Sequence, residues 1–219
     1  MIVAAHNEAD RIADTLAALR SALPDAALWV ADDASADGTA EAALAAGAQV
    51  VSRGRPHGKG ANVTAAAEAM LSAEPAPAVV LLCDGDLGSS AAGLPRLVEA
   101  VRDGECDLAV AAFSNRVGGG VGAALGFARW AIRRRCGLRT TAPISGQRAM
   151  RVEVLRDALP FARGYGMEVG MTIDAVRSGH RLREYELDLS HRATGRSLSG
   201  FAHRGRQLND FVRAYRGRG

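Results

Sequence analysis

The residues best suited to chemistry are two carboxylates, Asp84 and Asp86, which are separated by Gly85. They directly follow an apolar run, residues 78–83, that is typical of a buried strand. In an open α/β sheet, ligands bind outside the carboxyl ends of the strands. Carboxylate oxygens are hard ligands that suit a divalent cation bound to phosphate oxygens. The pattern therefore predicts a metal site for a phosphate-bearing substrate, although Asp-x-Asp also occurs in ordinary turns.

Three further polar clusters follow apolar, strand-like runs upstream. The clusters are His6-Asn7-Glu8 after residues 2–5, Asp32-Asp33 after residues 28–31, and Gly58-Lys59-Gly60 after residues 49–52. The stretches between them have the apolar spacing of helices. This alternation predicts an α/β fold with a mostly parallel, Rossmann-like sheet flanked by helices, and it brings the polar loops to one edge.

Lys59 is the only lysine in the chain, and a glycine flanks it on each side. Glycine lets the backbone approach a ligand closely, and an ammonium is a compact charge for a phosphate. Neither the Walker spacing nor a Gly-x-Gly-x-x-Gly after the first strand is present, which disfavours a P-loop protein and a dinucleotide oxidoreductase. The Asp33 carboxylate suits a uracil imide or a ribose hydroxyl, since both donate hydrogen bonds.

Two other polar positions are interpreted as structural. Asn7 is predicted to be the N-cap of a helix that starts near Glu8. Asp37-Gly38-Thr39 is predicted to cap the next helix.

Composition and charge narrow the class of protein. No apolar run approaches the ~18–20 residues of a membrane span, and the first strand follows Met1 too closely for a signal peptide. Three cysteines do not form a disulfide framework, which favours a cytoplasmic protein. Residues 1–128 have a net charge of −8 and residues 129–219 one of +11. This asymmetry suits a cation-binding site in the first part and the binding of a phosphate or an anionic surface by the second. No nucleic-acid-binding module is recognised in the sequence.

Taken in order, these clusters resemble those of family-2 glycosyltransferases with a GT-A fold. Two later blocks extend the resemblance: residues 160–170, which read PFARGYGMEVG, and His191-Arg192. They look more like the retaining glucosyl-3-phosphoglycerate synthases than the dolichol-phosphate mannose synthases. The resemblance implies one glycosyltransferase domain over residues 1–219, with a nucleotide-sugar-binding half at 1–112 and an acceptor-side extension at 113–219.

The resemblance also implies a role for each matching residue. Asp86 and His191 would hold Mg²⁺ or Mn²⁺ across the diphosphate of a nucleoside diphosphate sugar, with Asp84 in support. Asp86 and Glu168 would be the catalytic residues. The implied nucleotide-sugar contacts are Ala4, Ala5, Glu8, Asp33, Lys59, Asp84, Gly85, Arg192 and Arg196. The implied acceptor contacts are Gly119, Gly120, Arg148, Tyr165 and Glu168.

Residues 113–147 form the expected acceptor region. Residues 118–122, which read GGGVG, are interpreted either as a lid or anion cradle or as a plain connector. Residues 125–135 combine Trp130 with an arginine cluster on an apolar helix. The pattern favours packing across the sheet, or against a second copy in a homodimer, over a peripheral membrane contact. Residues 143–148 resemble an acceptor-side strand, and the alternating pattern of residues 181–189 predicts a late strand. A last helix that packs on the core is predicted from the spacing of Phe201, Leu208, Phe211 and Tyr215.

We expect a small, soluble anionic acceptor, and a polyprenyl phosphate at the membrane surface is the alternative. The 164–168 block and His191-Arg192 favour a small phosphoglycerate-like acid. Ala193, where the synthases carry an asparagine, and Arg196-Ser197 are closer to the enzymes that use polyprenyl phosphate. Retention of anomeric configuration would follow from the first resemblance and inversion from the second.

Two other classes of protein are weaker alternatives. A sugar-1-phosphate nucleotidyltransferase would carry a glycine-rich basic loop after the first strand, where this chain has Ala4-Ala5-His6. A non-catalytic sugar-nucleotide-binding module would share the site without turnover.

Overall fold

The computed structural model describes residues 1–113, 122–189 and 209–217, and strands and helices alternate through most of this length. The strands are β1 (Ile2–Ala5), β2 (Trp29–Asp32), β3 (Gln49–Ser52), β4 (Val79–Asp84), β5 (Leu108–Phe113), β6 (Arg148–Arg151) and β7 (Leu182–Leu187). The helices are α1 (Ile12–Ala22), α2 (Thr39–Ala45), α3 (Lys59–Ser72), α4 (Pro95–Arg102), α5 (Gly122–Cys136), α6 (Val152–Ala158), α7 (Met167–Arg177) and α8 (209–217).

The seven strands form one sheet in the order β3-β2-β1-β4-β6-β5-β7. Strands β1 to β4 pair in parallel, as the alternation of strands and helices predicted. Strand β6 runs antiparallel to both of its neighbours, β4 and β5, whereas β7 is parallel to β5. The carboxyl ends of β1, β2 and β4 therefore lie side by side.

Helices cover both faces of the sheet. Successive strand residues point to opposite faces, so that Ile2 joins one apolar cluster and Val3 the other. Helices α1 and α4 pack on the Val3 face, and α3, α6 and α7 pack on the Ile2 face. A third cluster joins α5, α7 and α8, in which Phe211 is buried.

The structure corrects two boundaries that the sequence predicted. The first helix begins at Ile12 rather than near Glu8, and Asn7 is not its N-cap. Asn7 has a φ of 55° and its side chain accepts a hydrogen bond from the N–H of Ala36 at 2.9 Å, so it braces the loop after β2 instead. The predicted strand at residues 143–148 is also wrong, because residues 143–144 form a turn, residues 145–147 are irregular, and β6 begins only at Arg148.

Among the residues that the structure describes, no helix is long and apolar enough to cross a bilayer. Cys83, Cys106 and Cys136 are all free thiols.

Candidate active site

Three neighbouring parallel strands deliver the polar clusters to one edge. In the strand register, Ala5 of β1 lies opposite Asp32 of β2, and Ala4 lies opposite Asp84 of β4. The turns after these strands therefore start at the same level of the sheet. This geometry agrees with the convergence that the sequence predicted.

Hydrogen bonds with β1, with α1 and with Arg11 just before α1 hold the turn of residues 84–86. The N–H of Gly85 donates to the carbonyl of Ala4 at 2.8 Å, and the Thr15 hydroxyl donates to the carbonyl of Gly85 at 2.8 Å. A Cβ on Gly85 would lie 3.1 Å from Ile12 Cδ1 and 3.3 Å from the Ala4 carbonyl oxygen. Arg11 donates to the carbonyl of Asp86 at 3.1 Å. The glycine thus allows the turn to pack tightly on β1 and α1.

Lys59 connects two carboxylates that the sequence separates widely. Its Nζ lies 2.6 Å from Asp84 Oδ1 and 2.8 Å from Glu168 Oε1. Glu168 is in the first turn of α7, where a carboxylate is favoured by the helix dipole, and its side chain is only 6% exposed. Burial alone would lower the pKa of Lys59, but the charges of Asp84 and Glu168 outweigh it and raise that pKa above its usual range. Lys59 is therefore a fixed positive charge at this edge.

Gln147 and Gly146 lie beside the contact between Lys59 and Asp84. The sequence did not indicate either residue as part of the site. Gln147 Nε2 donates to Asp84 Oδ2 at 2.8 Å, and the residue is buried. A Cβ on Gly146 would lie 2.6 Å from Lys59 Nζ and 2.7 Å from Asp84 Oδ2. The signal in the sequence is a glycine followed by an amide immediately before Arg148, in the segment predicted to be a strand.

Asp33 holds the loop that leads into α3. Its carboxylate accepts hydrogen bonds from the N–H groups of His57 at 2.7 Å and Gly58 at 3.0 Å, and from the side-chain amide of Asn62. Gly58 has a φ of 83°, in the left-handed region that glycine adopts without strain. Asp33 therefore helps to fix the position of Lys59, and its nucleotide contact stays a prediction.

The remaining predicted nucleotide contacts of the first half lie at the same edge. The carbonyl of Ala5 accepts a hydrogen bond from the N–H of Asp33 at 3.0 Å. Glu8 lies in the turn before α1, and its N–H donates to the Thr39 hydroxyl at 2.8 Å. The contacts of Ala4, Ala5 and Glu8 with a base or ribose stay predictions.

Arg148 has a different environment from the acceptor contact that the sequence predicted. The residue is 1% exposed, and its guanidinium donates to the carbonyl of Ser145 at 2.8 Å and to the Thr172 hydroxyl at 2.9 Å. Burial lowers the pKa of Arg148 to about 10, while the charges of Glu168 and Glu184 oppose this effect, so that it stays charged at neutral pH. Its burial and internal partners favour a structural role, and the acceptor contact of Arg148 stays a prediction.

The block of residues 164–166 is where α8 packs. The N–H of Tyr165 donates to Asp210 Oδ2 at 3.2 Å. A side chain on Gly164 would collide with the Asp210 carboxylate, and a Cβ on Gly166 would lie 2.8 Å from the Asp210 carbonyl oxygen. The two glycines therefore allow close packing of α8, and the acceptor contact of Tyr165 stays a prediction.

The carboxylates at the end of β4 are suitable ligands for a hard divalent cation. Asp84 and Asp86 supply carboxylate oxygens one residue apart, which are the ligands that Mg²⁺ and Mn²⁺ take. Within residues 1–113, 122–189 and 209–217, no group of three or more His, Cys, Asp or Glu side chains forms a complete metal site. The predicted third ligand, His191, lies outside the described residues. The predicted contacts Gly119, Gly120, Arg192 and Arg196 lie outside them as well.

A mostly parallel sheet with an acidic turn at its carboxyl edge is compatible with a GT-A-type glycosyltransferase. The family model for glycosyl transferase family 2 matches residues 1–159. An undecaprenyl-phosphate mannosyltransferase of Micrococcus luteus is 34% identical to this chain, in a match that covers 91% of this chain and 86% of that protein. The chain belongs to glycosyl transferase family 2, and it is an enzyme of the glycosyltransferase class.

Solved structures of glucosyl-3-phosphoglycerate synthase from Mycobacterium tuberculosis are also similar to this chain. The complex with phosphoglyceric acid is 28% identical with a TM-score of 0.79, and the match covers 99% of this chain and 78% of that one. The complex with Mn²⁺, UDP-glucose and glycerol 3-phosphate is 27% identical with a TM-score of 0.76, over 97% of this chain and 78% of that one. These matches confirm the predicted GT-A fold.

Proposed function

We propose that this enzyme transfers a hexosyl group from a nucleoside diphosphate sugar, with UDP as the nucleotide, to an acceptor that carries a phosphate. The observation that carries the proposal is the contact of Lys59 with both Asp84 and Glu168 at the carboxyl edge of the sheet. It gathers one cation and two carboxylates, from three separate elements, where a nucleotide sugar is expected to bind.

Asp86, with Asp84 and the predicted ligand His191, would hold Mg²⁺ or Mn²⁺ beside the diphosphate. The proposal is supported by the similar synthase structures, which were solved with Mn²⁺ and UDP and with Mg²⁺ and UDP. When bound, the cation would supply Lewis-acid stabilisation of the departing nucleoside diphosphate.

Lys59 and Glu168 would act on adjoining parts of the donor, the diphosphate and the hexose. The Lys59 ammonium would donate hydrogen bonds to diphosphate oxygens and stabilise the charge that develops on the leaving group. The Glu168 carboxylate would accept hydrogen bonds from sugar or acceptor hydroxyls and so orient the hexose. If the acceptor nucleophile is a phosphate oxygen, no general base is needed because that oxygen is already ionised.

The first candidate acceptor is a small phosphorylated acid. The similar synthase structures were solved with phosphoglyceric acid and with glycerol 3-phosphate, and these structures cover almost the whole of this chain. The second candidate is a polyprenyl phosphate, which is favoured by the relative that is an undecaprenyl-phosphate mannosyltransferase. Both acceptors present a phosphate to a half of the chain that is rich in arginine.

Donor turnover with a panel of nucleoside diphosphate hexoses tests the function. Release of nucleoside diphosphate is followed by mass spectrometry with Mn²⁺, with Mg²⁺ and with excess chelator, first without acceptor. 3-Phosphoglycerate and a short-chain polyprenyl phosphate are then added separately. We expect metal-dependent release that one of the two acceptors stimulates. Tight donor binding without any turnover would instead support a non-catalytic module, and turnover that survives chelation would overturn the metal-dependent reaction.

A further inference from the structure

A tryptophan of α5 is exposed beside a group of arginines. Trp130 is 50% exposed, although a tryptophan side chain is usually well buried. Arg133 and Arg134 follow three and four residues later and so lie one turn along the same side of the helix. Trp130, Arg133 and Arg134 line one shallow depression, which we call the Trp130 surface.

The exposed ring of Trp130 is held in place from behind. Its centroid lies 5.4 Å from that of Phe127 and 5.1 Å from that of Tyr215 in α8. The Arg135 guanidinium lies 3.9 Å from the centroid of the Tyr215 ring and donates to the Tyr215 carbonyl at 2.8 Å. A ring that is already ordered loses little conformational entropy when it contacts a partner.

The charge of α5 identifies the kind of partner. The helix carries Arg129, Arg133, Arg134 and Arg135 and no acidic residue. Cations at a helix C-terminus are favoured by the helix dipole, which accounts for arginines there but not for an exposed tryptophan beside them. A ring with an apolar body and a polar N–H suits the interface of a bilayer, and guanidinium groups bind lipid phosphates.

We propose that the Trp130 surface docks on an anionic phospholipid bilayer, with the Trp130 ring among the headgroups and Arg133 and Arg134 on lipid phosphates. The arginines attract the negatively charged surface, and the ring provides the apolar contact.

The position of α5 relates this surface to the candidate active site. Ala128 and Ile132 of α5 pack on Val169 and Ile173 of α7, and α7 also carries Glu168. A docked bilayer would therefore lie one helix away from the helix that bears Glu168. In consequence the phosphate-bearing acceptor would be a membrane lipid, and this step rests on the proposed function.

Vesicle binding tests the docking surface directly. Phosphatidylcholine vesicles with and without phosphatidylglycerol are titrated into the wild-type protein, and binding is measured by co-sedimentation and by tryptophan emission. The chain has two tryptophans, and Trp29 is only 7% exposed within β2, so that a change in emission reports Trp130. We expect binding that requires the anionic lipid, weakens with salt, and shifts the emission to shorter wavelength.

Three variants locate the contact. Trp130→Ala, and Arg133→Glu combined with Arg134→Glu, should each weaken binding to anionic vesicles by about tenfold or more. Leu44→Ala is the matched control, because Leu44 is 59% exposed on α2 without an arginine in that helix, and it should bind like the wild type. Donor turnover without acceptor should be unchanged in all three variants.

The outcomes separate the two proposals. Failure of the wild type to bind anionic vesicles, or equal binding by Trp130→Ala, would overturn the docking surface. Light scattering that shows a dimer, which becomes a monomer on Trp130→Ala, together with no vesicle binding, would assign the surface to a second copy of the chain. If the Trp130→Ala protein does not fold, the wild-type emission shift and its dependence on anionic lipid still decide. Absence of donor turnover in every protein would overturn the proposed function and leave the vesicle result unaffected.

Discussion

The ammonium of Lys59 lies 2.6 Å from Asp84 Oδ1, and this contact joins the start of α3 to the end of β4. The same ammonium lies 2.8 Å from Glu168 Oε1. It therefore lies between the carboxylate of Asp84, at the end of strand β4, and that of Glu168, in helix α7. A divalent cation at the end of β4 would compete with Lys59 for Asp84. Binding of a diphosphate would relieve that competition, because phosphate oxygens offer Lys59 a new partner.

The first prediction concerns nucleotide and metal affinity of Lys59→Gln. Calorimetry should show UDP binding weakened by about 1.5–3 kcal/mol in the presence of Mn²⁺, the range for a hydrogen bond to a charged group. Binding of Mn²⁺ alone, followed by electron paramagnetic resonance, should become tighter because the competing ammonium is gone. Lys59→Arg keeps the charge and is the matched control for the metal measurement. Equal UDP affinity in Lys59→Gln and wild type would remove Lys59 from the donor site.

A second prediction concerns Asp86→Ala. Transfer and donor hydrolysis should both be abolished, because the carboxylate is proposed to hold the metal, whereas the melting temperature should stay nearly unchanged. Asp103→Ala is a suitable control, since Asp103 is an exposed acid at the end of α4. Full activity of Asp86→Ala would contradict the proposed metal site at the end of β4.

The third prediction compares two glycines. A Cβ on Gly146 would lie 2.6 Å from Lys59 Nζ and 2.7 Å from Asp84 Oδ2, whereas nothing lies within 4 Å of a Cβ on Gly126 in α5. Gly146→Ala should therefore disturb the Lys59–Asp84 contact and lower donor turnover by at least tenfold, about 1.4 kcal/mol. Gly126→Ala should raise stability by about 1 kcal/mol, because alanine is a better helix former. Unchanged turnover in Gly146→Ala would show that the contact can shift without cost.

The local pattern of apolar and polar residues was enough to predict the first four strands of the sheet. Apolar runs of four to six residues, each followed by a polar loop, indicated β1 to β4 and their parallel pairing, and Ile12, Leu16 and Leu19 marked the buried face of α1. The two misplaced boundaries have a common physical cause. Asn7 and Gln147 are held by partners far away in the sequence, Ala36 and Asp84, and tertiary contacts of this kind override local preference.

The assembly of the site was predicted only in part. The resemblance implied that Lys59 and Asp84 contact the nucleotide sugar and that Glu168 is catalytic, since each matches a block of the family. It did not indicate that Lys59 bridges the two carboxylates, nor that Gln147 and Asp33 orient Asp84 and the loop before α3. Distances between side chains depend on how α7 and residues 143–147 pack on the sheet, and no local pattern encodes that.

A fourth prediction concerns pH and Glu184 of β7. Burial would raise the pKa of Glu184, but hydrogen bonds donated by the hydroxyls of Thr140 and Thr141 and by the main chain of residues 141 and 142 lower it overall. A lowered pKa means that the carboxylate stabilises the fold above the ordinary value of 4.5 and that this contribution is lost as pH falls through the folded-state pKa. The melting temperature of Glu184→Gln should therefore lie below wild type near neutral pH, and the two should converge in acid.

Glu186→Gln controls for loss of charge on the same strand, because Glu186 is exposed. Its melting temperature should follow that of the wild type across the titration. A constant difference between Glu184→Gln and wild type at all pH values would mean that the ionised carboxylate is not the source of the stabilisation.

The fifth prediction separates a structural role of Arg148 from contact with the acceptor. Its guanidinium donates to the Ser145 carbonyl and the Thr172 hydroxyl inside the protein, and it lies next in sequence to Gln147, which holds Asp84. Arg148→Met should destabilise the fold by about 2–4 kcal/mol, since buried acceptors lose their donors. Arg151→Met is the control on the same strand. Arg151 is 46% exposed and paired with Asp107, and loss of such a surface pair costs only about 0–1 kcal/mol.

Denaturant titration measures the loss of stability, and steady-state kinetics with a saturating donor measure the KM for the acceptor. If Arg148 acts only through packing, Arg148→Lys should lower the denaturation midpoint and leave the acceptor KM of the folded protein within about threefold of wild type, less than 0.7 kcal/mol. If Arg148 instead contacts the acceptor, the KM should rise by tenfold or more at an unchanged midpoint. That second result would restore the acceptor contact that the sequence suggested and would require residues 143–147 to open when the acceptor binds.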